Sequence, residues 1–181
     1  MPADAPPAAL DSQAFARDNG RLSGTSRLAH YPRLLVETQG HGADRTLGWA
    51  AEGSLRADPS SADQAWLHLQ ISASLPLTCQ RCLESMDWEP VVDRWFRFVD
   101  TEALAAEQDD TVEEDLLVSS RQFSLAELIE DELLMALPLV PRHEACPGEL
   151  KMAVADPGFE SPESQPPHPF ASLARLRRGA D

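Results

Sequence analysis

Leu67, Leu69, Ile71, Ala73, Leu75 and Leu77 fall on every second position, with His68, Gln70, Ser72 and Ser74 between them. Side chains of a strand point alternately to opposite faces, so this run predicts a strand with one face in a core and one in water. It leads into Cys79-Gln80-Arg81-Cys82, a tight corner, and Trp88–Val99 follows as a return strand. The pair predicts an antiparallel hairpin. Trp88, Val92, Phe96 and Phe98 would share one face of the return strand. Pro90 has no N–H to give, which places the start of that strand at an edge or a bulge. Leu47–Leu55 reads as a further strand, weakened by Gly48 and Gly53.

A second period appears downstream. Ser124 with Glu127 three positions on is a capping box, in which the hydroxyl accepts from one free N–H and the carboxylate reaches back to another. Leu125, Leu128, Ile129, Leu133, Ala136 and Leu137 follow at helical spacing as one apolar stripe. Glu127, Glu130 and Asp131 face away from it, and Pro138 stops the helix. Asp11 caps a short helix to Arg17, ended by Asn19-Gly20. Residues 22–46 mix strand-like pieces with a turn of helix near Leu34 and Leu35, Asp58-Pro59-Ser60-Ser61 is a turn, and Leu116–Ser119 adds a short strand. The fold class is therefore α+β: a curved antiparallel sheet or partial barrel with the Ser124–Leu137 helix packed on it.

A length of 181 residues suits one domain with tails. Residues 1–10, with Pro2, Pro6 and Pro7, read as a disordered N-terminus, residues 11–146 as the α+β domain, and residues 147–181 as a Pro-rich tail. The net charge is −15, and twelve acids stand against Arg121 alone between Asp100 and Glu132. Such a chain has no broad basic surface for nucleic acid. Residues 100–115 read as a solvated acidic loop, or, more sharply, as a docking surface for a basic protein. No apolar run reaches the ~18 residues of a membrane-spanning helix, and Met1–Leu10 lacks the basic and apolar regions of a secretory signal. Three cysteines cannot all pair within the chain, so the protein is expected to be reduced and cytoplasmic.

Two clusters carry metal-binding chemistry. Cys79-x-x-Cys82 and His143-x-x-Cys146 together hold every cysteine of the chain. A two-residue gap lets both side chains of a pair reach one ion, and Cys₃His is a common tetrahedral zinc set. The cysteines also have other readings. They can be small buried hydrophobes, or Cys79 and Cys82 can be the pair of a thiol-disulfide oxidoreductase. Redox pairs sit at helix N-termini, whereas these lie at a strand corner, and His143 can be a surface residue after Pro141-Arg142. Glu130-Asp131-Glu132 is read as a charged solvent face, because consecutive helical residues fan around the axis. A nuclease would need these carboxylates to converge on a metal. No nucleophile–base pair or phosphate-cradling glycine loop is present, so no enzyme is expected and no catalytic residue is assigned. Near the C-terminus, Phe170, Leu173 and Leu176 recur every third residue beside Arg175, Arg177 and Arg178, a basic amphipathic segment suited to a partner.

Leu77–Glu84, then Leu128–His143, then Cys146, then Pro169-Phe170-Ala171-Ser172-Leu173 resemble, in that order, the YceD family, the bacterial large ribosomal RNA subunit accumulation proteins with plastid relatives. The likeness spans roughly residues 10–178, and IEDELLMALPLVPRH is its most distinctive stretch. It implies a non-enzymatic role in large-subunit biogenesis, through synthesis, processing or accumulation of 23S rRNA. Some members carry further cysteines after the proline stretch, which this chain lacks. A chain of this charge repels naked rRNA over a wide surface. The expected contact with the large-subunit precursor or 23S rRNA therefore runs through a basic ribosomal protein or assembly factor, with the arginine tail touching RNA. No membrane and no small-molecule substrate is implied.

Overall fold

The computed structural model describes residues 5–57 and 63–148. Five strands form an open sheet in the order β1 (Arg21–Arg27), β2 (Thr46–Arg56), β3 (Gln64–Ser72), β6 (Val91–Val99) and β7 (Asp115–Val118). Strands β4 (Leu75–Thr78) and β5 (Ser85–Trp88) form a separate antiparallel pair. The helices are α1 (Ser12–Arg17), α2 (Pro32–Glu37), α3 (Glu102–Gln108) and α4 (Leu125–Met135). The expected α+β class and the main helix are present, and the sheet does not close into a barrel.

The period-two run is real but not one strand. Leu67, Leu69 and Ile71 are buried on β3, and Leu75 and Leu77 are buried on β4. The chain changes sheet at Ala73-Ser74, and the return strand breaks at Glu89-Pro90, between β5 and β6. Pro90 has no N–H to give at the second break, and Pro76, though paired with Asp87 inside β4, cannot donate to a ladder. Arg45 supports the bend, donating to Ser74 Oγ at 3.2 Å and to the Asp87 carboxylate at 2.5 Å. Val92, Phe96 and Phe98 share the buried face of β6 as expected, whereas Trp88 lies in the smaller sheet.

Register fixes the core face. β3 pairs Leu67 with Phe96 and Ile71 with Val92, and β2 presents Trp49 and Ala51 on the same side. Phe15 and Ala16 of α1, Leu34 of α2, and Leu125, Ile129 and Leu133 of α4 join them in one cluster. Gly53 has a specific reason to be glycine. A Cβ there would lie 2.6 Å from Phe15 O and 2.9 Å from Ala16 Cα, so its absence lets α1 lie on β2.

Three expectations are corrected. Residues 100–115 are not simply a loop, because they contain α3, capped by Thr101, whose hydroxyl accepts from Leu104 N–H at 3.2 Å. This helix is part of the crossover that lets β7 run parallel to β6, a geometry that a tight turn cannot give. The N-terminus is tied down by residue 7: Pro7 O accepts from Leu125 N–H, and Leu10 and Phe123 exchange both backbone hydrogen bonds at 2.9 Å. Glu130 and Glu132 do not face solvent either, being only 5% and 6% exposed. The Glu130 carboxylate accepts from the N–H groups of Arg33 and Leu34, at 2.7 and 3.2 Å, and from Arg33 Nε at 2.9 Å. It caps α2 from a different helix, in a place where no local side chain caps it.

Candidate metal centre

The smaller sheet delivers the first half of the cluster. At its tip Cys79 N–H donates to Glu84 O at 2.9 Å and Leu83 N–H to Cys79 O at 2.8 Å, closing a turn with Leu83 at a φ of +62°. The end of α4 delivers the second half. Pro138 removes the next helical donor, and the chain runs past the tip as an irregular strap. Gln80 N–H at the tip donates to Pro141 O of the strap at 2.8 Å, and Trp88 Nε1, at the other end of β5, donates to Ala136 O at the end of α4 at 3.2 Å.

The four residues singled out by spacing converge. One donor atom from each of Cys79, Cys82, His143 and Cys146 lies within 4.8 Å of all the others. Cys79 Sγ and Cys146 Sγ are 3.9 Å apart, and Cys82 Sγ lies 3.4 Å from His143 Nδ1. Tetrahedral bonds of about 2.3 Å to sulfur and 2.0–2.1 Å to nitrogen place sulfurs about 3.8 Å apart, and sulfur and nitrogen about 3.6 Å apart. These two separations match tetrahedral spacing, and the cluster can hold a metal ion.

The surroundings stabilise thiolate at Cys79. Cys79 is 0% exposed, and burial alone would raise its pKa. The backbone N–H groups of Cys82, His143 and Arg81 outweigh burial and hold it at about 5. Cys82 is pushed up instead, first by burial and then by the neighbouring Cys146 and Cys79 sulfurs. Arg81, which the spacing argument passed over, donates through Nε to Cys146 Sγ at 3.1 Å and through Nη2 to His143 O at 3.1 Å. A basic residue between the first two cysteines was the available signal. Three sulfurs would leave a divalent site with excess negative charge, and the guanidinium offsets it.

Other predicted sites fare differently. Glu130, Asp131 and Glu132 do not converge: Asp131 pairs with Arg33 at 2.6 Å, and Glu132 lies 4.0 Å from Arg94. Burial raises the Glu132 carboxyl pKa, with Arg94 partly opposing it. Phe170, Leu173, Arg175, Arg177 and Arg178 lie outside the described residues.

Residues 67–177 match the family model of YceD, the large ribosomal RNA subunit accumulation protein. The matched range contains the whole cluster, from Cys79 to Cys146. No solved structure matches the chain.

Proposed function

The chain belongs to the YceD family, and from that premise we propose that it is a cytoplasmic, non-enzymatic scaffold for building the large ribosomal subunit, acting on 23S rRNA accumulation through a basic protein partner. The observation that carries this reading is the family match over residues 67–177. The geometry supports a scaffold in two ways. The densest group of reactive side chains forms a closed Cys₃His set, which suits a structural zinc pinning the sheet tip to the end of the main helix. The exposed acids of the α3 segment, among them Glu102, Glu107, Asp109 and Asp110, leave a negative surface for a cationic protein. Glu130 and Asp131 are already paired with Arg33, so that surface is the α3 segment and not the α4 face. Val36, Leu139 and Val140, exposed beside the cluster, add apolar contact area.

The low pKa of Cys79 favours a second reading, thiol-disulfide exchange. Burial argues against it, since a fully covered sulfur cannot reach a substrate disulfide. A depressed pKa is equally what a metal thiolate needs. The test is capture of the tagged protein with its partners, with and without nuclease, alongside 23S rRNA measurement in depleted cells. Retention of a basic protein after nuclease, with loss of 23S rRNA on depletion, is the expected result. Loss of every basic protein on nuclease treatment, or normal 23S levels without the chain, would overturn the reading. Turnover of a disulfide substrate abolished by Cys79→Ser would favour the alternative.

A further inference from the structure

Strands β1, β2, β3 and β6 turn one face to the core and the other outward, and the outward face carries two tryptophans. Trp66 lies on β3 and Trp95, 40% exposed, on β6. Large aromatics on the wet side of a sheet are more informative than scattered aliphatic residues. His68 faces Trp95 in register and stacks on it, with ring centroids 4.1 Å apart and planes 4° from parallel. The Arg56 guanidinium lies 4.1 Å from the Trp95 ring centre and 4.2 Å from that of Trp66. The order is Trp66, Arg56, Trp95, His68. Asp93 fixes the last ring, 2.6 Å from His68 Nε2, and accepts from Gln70 at 2.9 Å. Trp66 Nε1 and Ser54 Oγ, on residues paired in register, are buried with no hydrogen-bond partner.

Charge sets this face apart. In a chain of net charge −15, the register places Arg21, Arg27, Arg56 and Arg97 here against Glu52 and Asp93. Arg97 is paired with Glu114 and Arg56 lies between the two tryptophans, which leaves the β1 arginines: Arg27, and Arg21, whose contact with Glu52 is an exposed one at 3.5 Å. Along the strands from His68, a shallow depression of about 460 Å³ is lined by Gln70, Asp93, Ser72, Gly48, Thr25 and Ser23. Small side chains keep its floor open to a flat ring.

We infer that this face binds single-stranded RNA, with a base lying in the depression against the His68 end of the stack and phosphates toward the arginines of β1. Stacking on aromatic and guanidinium planes is how proteins hold unpaired bases, and a duplex cannot present them. The inference deepens the functional reading above, and rests on it only for the choice of RNA over DNA.

The test uses the full chain and a fluorescent oligoadenylate of about ten nucleotides, within the range that one sheet platform covers, against an RNA duplex of equal length. The single strand should bind at least tenfold tighter. The log–log salt slope should be about −1.4, because the two arginines of β1 at about 0.7 each set it. Trp95→Ala and His68→Ala should each weaken binding at least fivefold while leaving the melting midpoint close to that of the parent. Photo-cross-linking of the unaltered protein, which needs no variant to fold, should label peptides within 64–72 and 91–99. Equal binding of duplex and single strand, unchanged affinity in both well-folded variants, or cross-links confined elsewhere would overturn the inference. So would a self-associated protein whose dimer, and not its RNA affinity, is lost in Trp95→Ala. Failed RNA binding with 23S rRNA still lost on depletion removes this assignment alone. Normal 23S rRNA on depletion removes the functional reading and leaves the binding result standing.

Discussion

Replacing Glu130 with alanine tests whether a carboxylate on one helix holds the start of another. The substitution removes the acceptor for Arg33 N–H and Leu34 N–H and the partner of Arg33 Nε. Each buried donor left unsatisfied costs about 1–3 kcal/mol. Arg33 is half-exposed and keeps Asp131, so the broken ion pair adds only about 0–1 kcal/mol, and with the two donors the loss comes to about 3–5 kcal/mol in all. A domain stable by about 5–15 kcal/mol would then lose a large fraction of its stability, and its melting midpoint would fall by roughly 6–20 °C at the usual 2–4 °C per kcal/mol. Glu130→Gln keeps one oxygen to face both N–H groups and gives up the charge, so it should recover about half of the loss. The assay is denaturant unfolding of the parent and the two variants, with equal slopes required before midpoints are compared. If Glu130→Ala falls within about 1 kcal/mol of the parent, or if glutamine is no better than alanine, the carboxylate is not capping α2 and the reasoning fails.

Other outcomes follow from the same structure. Protein purified under reducing conditions should carry about one zinc ion per chain, and Cys82→Ser or a strong chelator should lower both metal content and melting midpoint; elemental analysis near zero would remove the metal. Gly53→Ala should destabilise by about 1–3 kcal/mol, the usual cost of overpacking, because its Cβ would meet the Phe15 carbonyl at 2.6 Å; an unchanged unfolding midpoint would refute the close approach. Glu132 has a raised folded pKa, first through burial, so its ionisation opposes folding above that pKa and ceases to do so as pH falls through it. Glu132→Gln should therefore gain stability at neutral pH and lose the gain in acid, read from melting midpoints across pH; a gain that persists in acid would contradict the assignment.

Local patterns were legible from sequence and long-range partnerships were not. Asp11 and Ser124 cap their helices, because a cap is set within four residues: their side chains accept from Ala14 and Glu127 N–H, although the Glu127 carboxylate does not complete the expected box. The buried stripe of α4 followed from its period for the same reason. The Cys/His cluster was legible because spacing within each half carries the chemistry, although nothing in the spacing said that the halves meet. Glu130 was misread because its partner, Arg33, lies 97 residues away. Alternation in 67–77 survives the change of sheet at Ala73-Ser74, so period alone could not reveal the break; Pro90 was read as an edge or a bulge, and Pro76 was the sign passed over. The helix α3 was missed under its charge, although Thr101 followed by EALAAEQ is a cap and a run of good helix formers.

Cys82 and His143 are separated by 61 residues, and this has a consequence for a chain emerging vectorially during its synthesis. The Cys79–Cys82 hairpin tip appears first, with two thiols and no means of completing a tetrahedron. His143 and Cys146 arrive only after α4, so a metal ion would meet all four donors only late in synthesis, and a product ended before residue 143 would offer it half of them.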